Sequence, residues 1–315
     1  MGRLIRCITD DGCVVAMAVD TTDIVNTAAE LHTTSAVVSA ALGRLLTAAT
    51  MMGHQLKGED DSLTLRIAGD GPVQAIVAVA DSKGNVKGYP VNPVVEIPLN
   101  AKGKLDVSGA IGEGKLYVLK DLGLKEPYNG VIPLVSGEIA EDITAYFAVS
   151  EQIPTVCALG VLVNPDLTIQ KAGGLLIQLL PSADEGIISR VESSIKDMRP
   201  ITVNMANGMS LEDIVKDALK EFNVEVLDED NVEYKCGCSR ERTLKVLKSI
   251  GKEELEKLTM GSLRKAVVEG DSKNGSVMMG QIAGLVKEIK PLKEIFEDMV
   301  SGTTPLLDEL YENFR

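Results

Sequence analysis

Apolar and polar positions repeat along the chain with two periods, one typical of strands and one typical of helices. Residues 3–9 and 13–19 are apolar runs joined by Asp10-Asp11-Gly12, which predicts a β-hairpin. Two proline-free stretches rich in Ala, Leu and Met predict helices over 22–32 and 34–57. Further strands are predicted over 62–68, 73–80, 115–121, 130–136, 155–163 and 167–179, with a helix over 139–150.

The pattern changes after Pro181, where strand-like runs give way to amphipathic helical spacing. Helices are predicted over 184–198 and 210–221, and Ser210 is placed to cap the second of them. More helices are predicted over 240–250, 252–259 and 285–300. The sequence therefore predicts an α+β fold: a β-rich N-terminal domain with packed helices over 1–181, then a helical linker over 182–230.

Composition and charge exclude several classes of function. The 315-residue chain has a formal net charge of −14, and an acidic surface repels phosphate backbones, which argues against general nucleic-acid binding. No run of about 18 apolar residues and no signal-type N-terminus occur, so we expect a cytoplasmic protein without a membrane span. With only His32 and His54 and no catalytic constellation, we expect neither an all-histidine metal site nor an enzyme.

The cysteines fall into two groups with different surroundings. Three lie in apolar strand contexts and are expected to be buried thiols: Cys7, Cys13 and Cys157. The other two, Cys236 and Cys238, have basic neighbours: Lys235, Arg240 and Arg242. Ser239 is placed to begin the next helix, so both nearby cations and a helix N-terminus would lower the pKa of these thiols. Cys236 and Cys238 are therefore candidate redox-active residues.

Several segments occur in an order and spacing that identify a family. They are His32-Thr33-Thr34-Ser35, Gly69-Asp70-Gly71-Pro72, Val163-Asn164-Pro165-Asp166, Ala172-Gly173-Gly174-Leu175-Leu176 and Cys236-Gly237-Cys238-Ser239-Arg240. Together they resemble the 33-kDa redox-regulated heat-shock chaperones over about residues 1–258. The last segment resembles the first half of that family's zinc site.

The resemblance implies a cytoplasmic ATP-independent holdase that binds unfolding proteins under oxidative stress. It also implies a small thiol module over 231–258, in which a Cys-x-Cys pair and a later Cys-x-x-Cys pair hold one zinc ion. In the family, oxidation joins the neighbouring cysteines of each pair, releases zinc and loosens the linker, and the exposed apolar surface then binds clients. The family becomes a dimer when oxidised, and we expect the same here.

The chain departs from that family after Cys238, because no cysteine and no histidine follow it. A structural zinc site normally has four thiolate or imidazole ligands, and Cys236 and Cys238 supply two. Three interpretations remain: two chains share one zinc through these pairs, the pair is a reactive dithiol without metal, or the pair has no function. Without tightly bound zinc, we expect an impaired switch and a partly constitutive holdase.

Helical spacing selects candidate client-binding positions in the linker. They are Ile188, Val191, Ile195, Leu211, Ile214 and Val215, with Ile187 and Leu219 near them. A simpler interpretation is that these faces pack on the N-terminal domain in the resting state. Both interpretations hold if that packing is reversible.

The C-terminal tail resembles a different family. Gly261-Ser262-Leu263-Arg264-Lys265 and Gly275-Ser276-Val277-Met278-Met279-Gly280 resemble the end of FMN-dependent enoyl-acyl-carrier-protein reductases. Residues 259–315 lack the strand ends of a whole barrel, so this tail alone is not expected to bind FMN. A flavin-dependent reductase and a zinc-ribbon regulatory module are therefore the alternative functions, and flavin absorbance or salt-sensitive DNA binding would favour them.

Overall fold

The computed structural model describes residues 1–196 and 198–239, together with 241, 245–246 and 248–249. The chain forms two compact units, Met1–Cys236 and Gly237–Arg315. In the second unit, residues 241, 245–246 and 248–249 are helical, as the prediction over 240–250 requires. The helices predicted over 252–259 and 285–300, and the reductase-like tail over 259–315, lie outside the described residues.

The first unit is built from strands and short helices in the predicted α+β order. Its strands are β1 (Gly2–Thr9), β2 (Val14–Asp20), β3 (Ser62–Gly69), β4 (Ala75–Asp81), β5 (Val86–Pro90), β6 (Gly114–Asp121), β7 (Tyr128–Pro133), β8 (Thr155–Val163), β9 (Ile169–Leu179) and β10 (Val224–Val232). Its helices are α1 (Thr22–His32), α2 (Ala36–Gly53), α3 (Val107–Ile111), α4 (Ala140–Tyr146), α5 (Glu185–Ile195), α6 (Ile201–Ala206) and α7 (Leu211–Ala218). A π-helical turn, Phe147–Glu151, follows α4.

The strands form two antiparallel sheets. The first sheet has the order β10-β1-β2-β9-β8, and the second has the order β5-β4-β3-β6-β7. β1 and β2 form the predicted hairpin, in which Gly12 takes a φ of 67° and donates its N–H to the Thr9 carbonyl at 2.8 Å. The first sheet combines strands from both ends of this unit, because β10 pairs with β1.

The first core is built around α2, which contacts strands of both sheets. Every residue of α2 except Ala36 and Arg44 is buried. Among the described helices, α2 is long and apolar enough to cross a membrane by length and composition, but 89% of that stretch is buried inside the protein. It is therefore the central core helix, as its apolar composition on all sides requires.

The central strands of the first sheet, β1, β2 and β9, are buried on both faces. Along β2, Met17 and Val19 point into the first core, whereas Ala16 and Ala18 point into a second core, as the two-residue period of a strand demands. The second core lies between this sheet and helices α5, α6 and α7. Burial on both faces explains why β2 and β9 are almost continuously apolar in sequence.

Two glycines of the first sheet allow α6 to lie against it. A Cβ atom at Gly160 would lie 2.6 Å from Thr202 Cγ2, and one at Gly173 would lie 2.7 Å from Met205 Sδ and 2.5 Å from the Val19 carbonyl oxygen. Side chains at these positions would push the helix away from the strands.

The linker differs from its prediction at one end. Helices α5, α6 and α7 form, and Ser210 caps α7 by accepting the Asp213 N–H at 3.1 Å. The linker was predicted to be helical over 182–230. That prediction is wrong at its C-terminal end, because residues 224–232 form the edge strand β10. The domain boundaries at 181 and 230 stay predictions, since residues on both sides of them belong to one compact unit.

We expect the first core to respond strongly to truncation of α2. Leu45 is fully buried, so Leu45→Ala should lower the free energy of unfolding by about 2–5 kcal/mol. Leu31, on α1, is 62% exposed, and Leu31→Ala should change that free energy by about 0.5 kcal/mol or less. Denaturant unfolding of both variants gives the comparison, and equal effects would contradict the described core.

Candidate functional site

The predicted client-binding residues form the cover of the second core. Val191, Leu211, Ile214 and Val215 are each at most 5% exposed in that core. Ile195 is half-buried at its margin, and Ile188 lines a cavity of about 420 Å³ beside the end of β9. The structure thus brings the predicted positions together and shows them packed on the N-terminal strands, as the simpler interpretation requires.

The surface under this cover is apolar. Its fully or almost fully buried residues come from the three central strands of the first sheet: Ile5, Cys7, Val14, Ala16, Ala18, Leu175 and Ile177. Detaching α5, α6 and α7 would expose both the sheet face and the apolar sides of the helices. Apolar surface of this kind is what a partly unfolded protein can bury by binding.

The cover contains two polar atoms that weaken it. Ser194 Oγ on α5 and Asn204 Nδ2 on α6 are buried, and neither has a hydrogen-bond partner among the described residues. A buried polar atom without a partner costs about 1–3 kcal/mol. The cover is therefore less stable than an all-apolar layer of the same size would be.

Strand β10 is held on β1 by ion pairs that use the whole acidic run of residues 228–230. Arg6 Nε donates to Asp228 Oδ2 at 3.0 Å, and Arg3 Nε donates to Glu229 Oε1 at 2.6 Å. His54 Nε2, at the end of α2, lies 2.9 Å from Asp230 Oδ2. Each acidic residue of the run therefore has its own basic partner in the N-terminal part of the unit.

Arg3 also joins α7 to this arrangement. Its Nη1 donates to Glu212 Oε2 at 3.1 Å, while its Nη2 contacts Glu212 Oε1 and donates to Glu229 Oε2 at 2.9 Å. The hydrogen bonds from Arg3 lower the pKa of Glu212 to about 2 and also lower the pKa of Glu229. We call these polar contacts the clasp, formed by Arg3, Arg6, His54, Glu212, Asp228, Glu229 and Asp230.

The chain between β10 and Cys236 is bonded to the second sheet. Val86 of β5 donates its N–H to the Glu233 carbonyl at 3.0 Å and accepts the Lys235 N–H at 2.9 Å. The Tyr234 hydroxyl donates to the Gly88 carbonyl at 2.9 Å. Residues 233–235 therefore tie the first sheet, through β10, to the edge of the second sheet immediately before the first exposed cysteine.

The two candidate redox cysteines are exposed. Cys236 ends the first compact unit and Cys238 belongs to the second. The Lys235 ammonium lies 4.0 Å from the Glu233 carboxylate, which partly neutralises its charge. A hydrogen bond from its own backbone N–H and one from the Ser239 side chain lower the pKa of Glu241, as expected at the first turn of a helix.

Of the three remaining cysteines, which were expected to be buried, two are buried and one is only partly buried. Cys7 and Cys13 are buried, whereas Cys157, on the edge strand β8, is half-buried. Burial raises the pKa of Cys7 to about 11 and that of Cys157 to about 12, so these two thiols stay protonated at neutral pH. Redox chemistry in the described part of the chain is therefore expected at the exposed pair.

The donor set does not fit a four-ligand zinc site within one chain. Cys236 and Cys238 supply two thiolates, and no cysteine or histidine follows them in the sequence. Within the described residues, His54, Asp228 and Asp230 are the one cluster of three potential ligands, and it contains neither cysteine. In this cluster His54 binds Asp230, and Asp228 Oδ2 accepts from Arg6.

Sequence reasoning missed the basic side of the clasp. Arg3 and Arg6 stand in an apolar strand, and the acidic run of residues 228–230 lies at the end of the predicted helical linker. Two arginines in β1 and an acidic run about 225 residues later have no visible relation until the strands are paired. The contact of His54 with Asp230 adds a third N-terminal partner that the sequence pattern does not indicate.

Comparisons with known proteins agree on one family. The family model described as Hsp33 protein matches residues 2–269. The chain is 47% identical over 252 residues to the 33 kDa chaperonin of Acetivibrio thermocellus, covering 80% of this chain and 85% of that protein. It is 48% identical over 255 residues to the 33 kDa chaperonin of Lachnoclostridium phytofermentans, covering 81% and 87%.

A solved structure supports the same similarity. The crystal structure of the 33 kDa chaperonin (heat shock protein 33 homolog) of Thermotoga maritima at 2.20 Å resolution has a TM-score of 0.75 to this chain. The two are 37% identical, and the match covers 82% of this chain and 89% of that one. The match to the family model extends beyond residue 258 into the first residues of the predicted reductase-like tail.

We expect acid to loosen α7 from the first sheet. The pKa of Glu212 is held at about 2, below its ordinary 4.5, so its contact with Arg3 is complete above about pH 4.5 and is lost as the pH falls towards 2. Amide hydrogen exchange over 211–218, corrected for intrinsic pH dependence, should rise in that window.

Two variants, each of which replaces a glutamate by a neutral glutamine, test whether this effect belongs to Glu212. Glu212→Gln should already exchange faster at neutral pH and should respond less to acid. Glu225→Gln, on exposed β10 and without an ion-pair partner among the described residues, should behave like the parent protein. Identical pH profiles for the parent and Glu212→Gln would show that the clasp does not hold α7.

Proposed function

The chain belongs to the Hsp33 family, the 33 kDa chaperonins, and from this membership we propose that it is an ATP-independent holdase with a weakened redox switch. The family consists of redox-regulated chaperones rather than enzymes, and its members typically bind zinc. The proposed partners are unfolding proteins in the cytoplasm. A homodimer under oxidising conditions is part of the same proposal.

One observation carries this proposal. Residues 182–232, which we call the arm, place α5, α6 and α7 over an apolar sheet face and add β10 to the edge of that sheet. The predicted client-binding residues Val191, Leu211, Ile214 and Val215 form the contact with the sheet face. Reversible detachment of the arm would expose these residues together with the sheet. Local opening is favoured because the arm contains buried unpaired polar atoms and is held partly by exposed ion pairs.

The Cys236 and Cys238 thiols are close enough in sequence to β10 for their oxidation to affect how firmly the arm is docked. Cys236 directly follows residues 233–235, whose hydrogen bonds to Val86 fix the end of β10. We propose that peroxide oxidises the Cys236 and Cys238 thiols to a disulfide, with two electrons and two protons transferred to give two molecules of water. A disulfide between residues this close is strained, and the strain would disturb the hydrogen bonds at Val86.

The incomplete donor set is the basis for the weakened switch. A complete zinc site contributes on the order of 10 kcal/mol to folding of its module, and two thiolates from one chain do not provide it. The reduced protein then lacks a strong clamp next to β10. Part of the population is therefore expected to expose its client-binding surface even without oxidation.

We expect the reduced, full-length protein to suppress aggregation of a thermally unfolding client. Suppression should increase only modestly after peroxide, because the reduced arm is already partly released. Light scattering of the client gives the activity, and metal analysis should give far less than one zinc per chain. A reduced protein without any holdase activity, or with one tightly bound zinc per chain, would contradict the weakened switch.

A substitution that stabilises the arm should lower this activity. Ser194→Ala removes a buried hydroxyl without a partner among the described residues and should stabilise the docked arm by about 1 kcal/mol. Ser193→Ala, at the exposed neighbouring position of α5, serves as the control. We expect Ser194→Ala, but not Ser193→Ala, to show slower amide exchange over 187–219 together with lower holdase activity. If exchange becomes slower while the holdase activity stays the same, release of the arm is not the activating step.

A further inference from the structure

Strand β8 has an open edge. It is the last strand of the first sheet, and within the described residues the backbone of 156–163 has no hydrogen-bonded partner other than β9. Half of the N–H and C=O groups of an edge strand point away from its neighbour and are available to another extended segment. The edge of β8 is thus a place where one more strand can be added.

The composition of β8 distinguishes it from the other edge strands of the described sheets. The edge strand β5 contains Lys87 and Pro90, β7 contains Pro133, and β10 carries four acidic residues. Charges and prolines on edges prevent unwanted strand pairing. The sequence of β8, Thr-Val-Cys-Ala-Leu-Gly-Val-Leu-Val, contains neither, so this edge lacks the usual protection.

The second half of this edge borders a cavity of about 750 Å³. Residues 159–163 form one wall, and three exposed apolar side chains line it as well: Leu99, Leu167 and Val203. A cavity of this size is within the range that binds an organic ligand or a short peptide segment. Its apolar lining favours an apolar occupant.

Two cationic side chains line the same cavity. Arg44 donates from Nη1 to the Glu138 carbonyl at 3.1 Å and to Glu138 Oε2 at 2.5 Å, but its Nε is buried and has no hydrogen-bond partner among the described residues. Lys104 is exposed and forms no ion pair within the described residues. The cavity is therefore lined by Lys104, whose charge is unpaired among the described residues, and by a guanidinium already bound to Glu138, in a chain whose net charge is −14.

The position of Arg44 is fixed by a buried carboxylate. Asp142 is fully buried, and its oxygens accept the backbone N–H groups of Val135 at 2.7 Å and Ile139 at 2.9 Å. These bonds hold the loop that carries Glu138, and Glu138 in turn binds Arg44. The guanidinium is thus held in place before any ligand arrives.

We propose that the open edge of β8 and this cavity bind an extended apolar segment of an unfolded protein as an added strand, with a carboxylate of that segment paired to Arg44 and Lys104. The backbone of the segment hydrogen-bonds to β8, and its apolar side chains occupy the cavity. This site rests on the proposed holdase function, and it lies outside the apolar interface beneath the arm, although α6 of the arm contributes Val203 to its wall. It is accessible while the arm is docked.

The test uses the full chain and a short Val-, Thr- and Leu-rich peptide with one Asp and a fluorophore. We expect saturable binding by fluorescence anisotropy and slower amide exchange over 155–163. A matched peptide with alternate backbone amides methylated keeps its side chains but loses its strand hydrogen bonds, and it should bind at least about tenfold more weakly. Equal affinity of the methylated peptide would show that the cavity selects an apolar carboxylate and would overturn the proposal.

Charge variants test the role of Lys104. Lys104→Glu should weaken binding of the Asp peptide several-fold and should hardly affect a peptide with Asn in that place. Lys102→Glu, on the same loop but outside the cavity lining, should leave both affinities unchanged. The same weakening by both variants would show a general charge effect and would argue against the carboxylate contact.

The outcomes separate this site from the chaperone proposal. Suppressed client aggregation with peptide protection confined to 187–219 would overturn the β8 site and leave the holdase intact. Protection of 155–163 by the peptide without any suppression of aggregation would support the β8 site and contradict the holdase. Protection of 155–163 that depends on protein concentration and needs no peptide would show a second copy on this edge, and the proposal would then be wrong.

Discussion

The structure depends on the need to bury both faces of one β-sheet. The strands β1, β2 and β9 are apolar on each side, so α2 alone cannot remove them from water. The second face is covered by the arm, and this contact belongs to a hydrophobic core rather than to a surface. A protein built in this way contains a large apolar surface that stays hidden only while a late segment of its chain remains docked.

Apolar burial and ion pairs divide the task of holding the arm. Burial of Ile214 and Val215 stabilises the contact between α7 and the sheet, but apolar burial does not specify an alignment. The clasp fixes the register of β10 on β1 through Arg3, Arg6 and His54. Arg3 is central because it binds Glu212 on α7 and Glu229 on β10 at once. Exposed ion pairs are weak individually, so a contact of this kind can be specific and still reversible.

The two edges of the first sheet are treated in opposite ways. The β1 edge is closed by β10, whose acidic residues make an outer edge that other strands avoid. The β8 edge is apolar, uncharged and open. Under the two proposals made above, the β10 edge takes part in release of the arm, and the β8 edge offers backbone groups to an extended chain.

The sequence by itself determined the local elements and the family. The Asp10-Asp11-Gly12 hairpin, the cap at Ser210, helix α2 and the interior thiols follow from periodicity, turn chemistry and composition, which act over a few neighbouring residues. The sequence also determined that no cysteine or histidine follows Cys238.

Only the tertiary structure decided which segments of the chain cover the faces and edges of the first sheet. An acidic run of residues 228–230 has low strand propensity, and it becomes β10 because β1 offers both an unpaired edge and two arginines that reach Asp228 and Glu229. The buried state of Val191 and Leu211, the unpaired Ser194 hydroxyl and the open side of β8 likewise depend on partners far away in the chain. Side-chain pairing across such distances leaves no periodic trace in a sequence, because it is fixed by the register of strands and not by spacing along the chain.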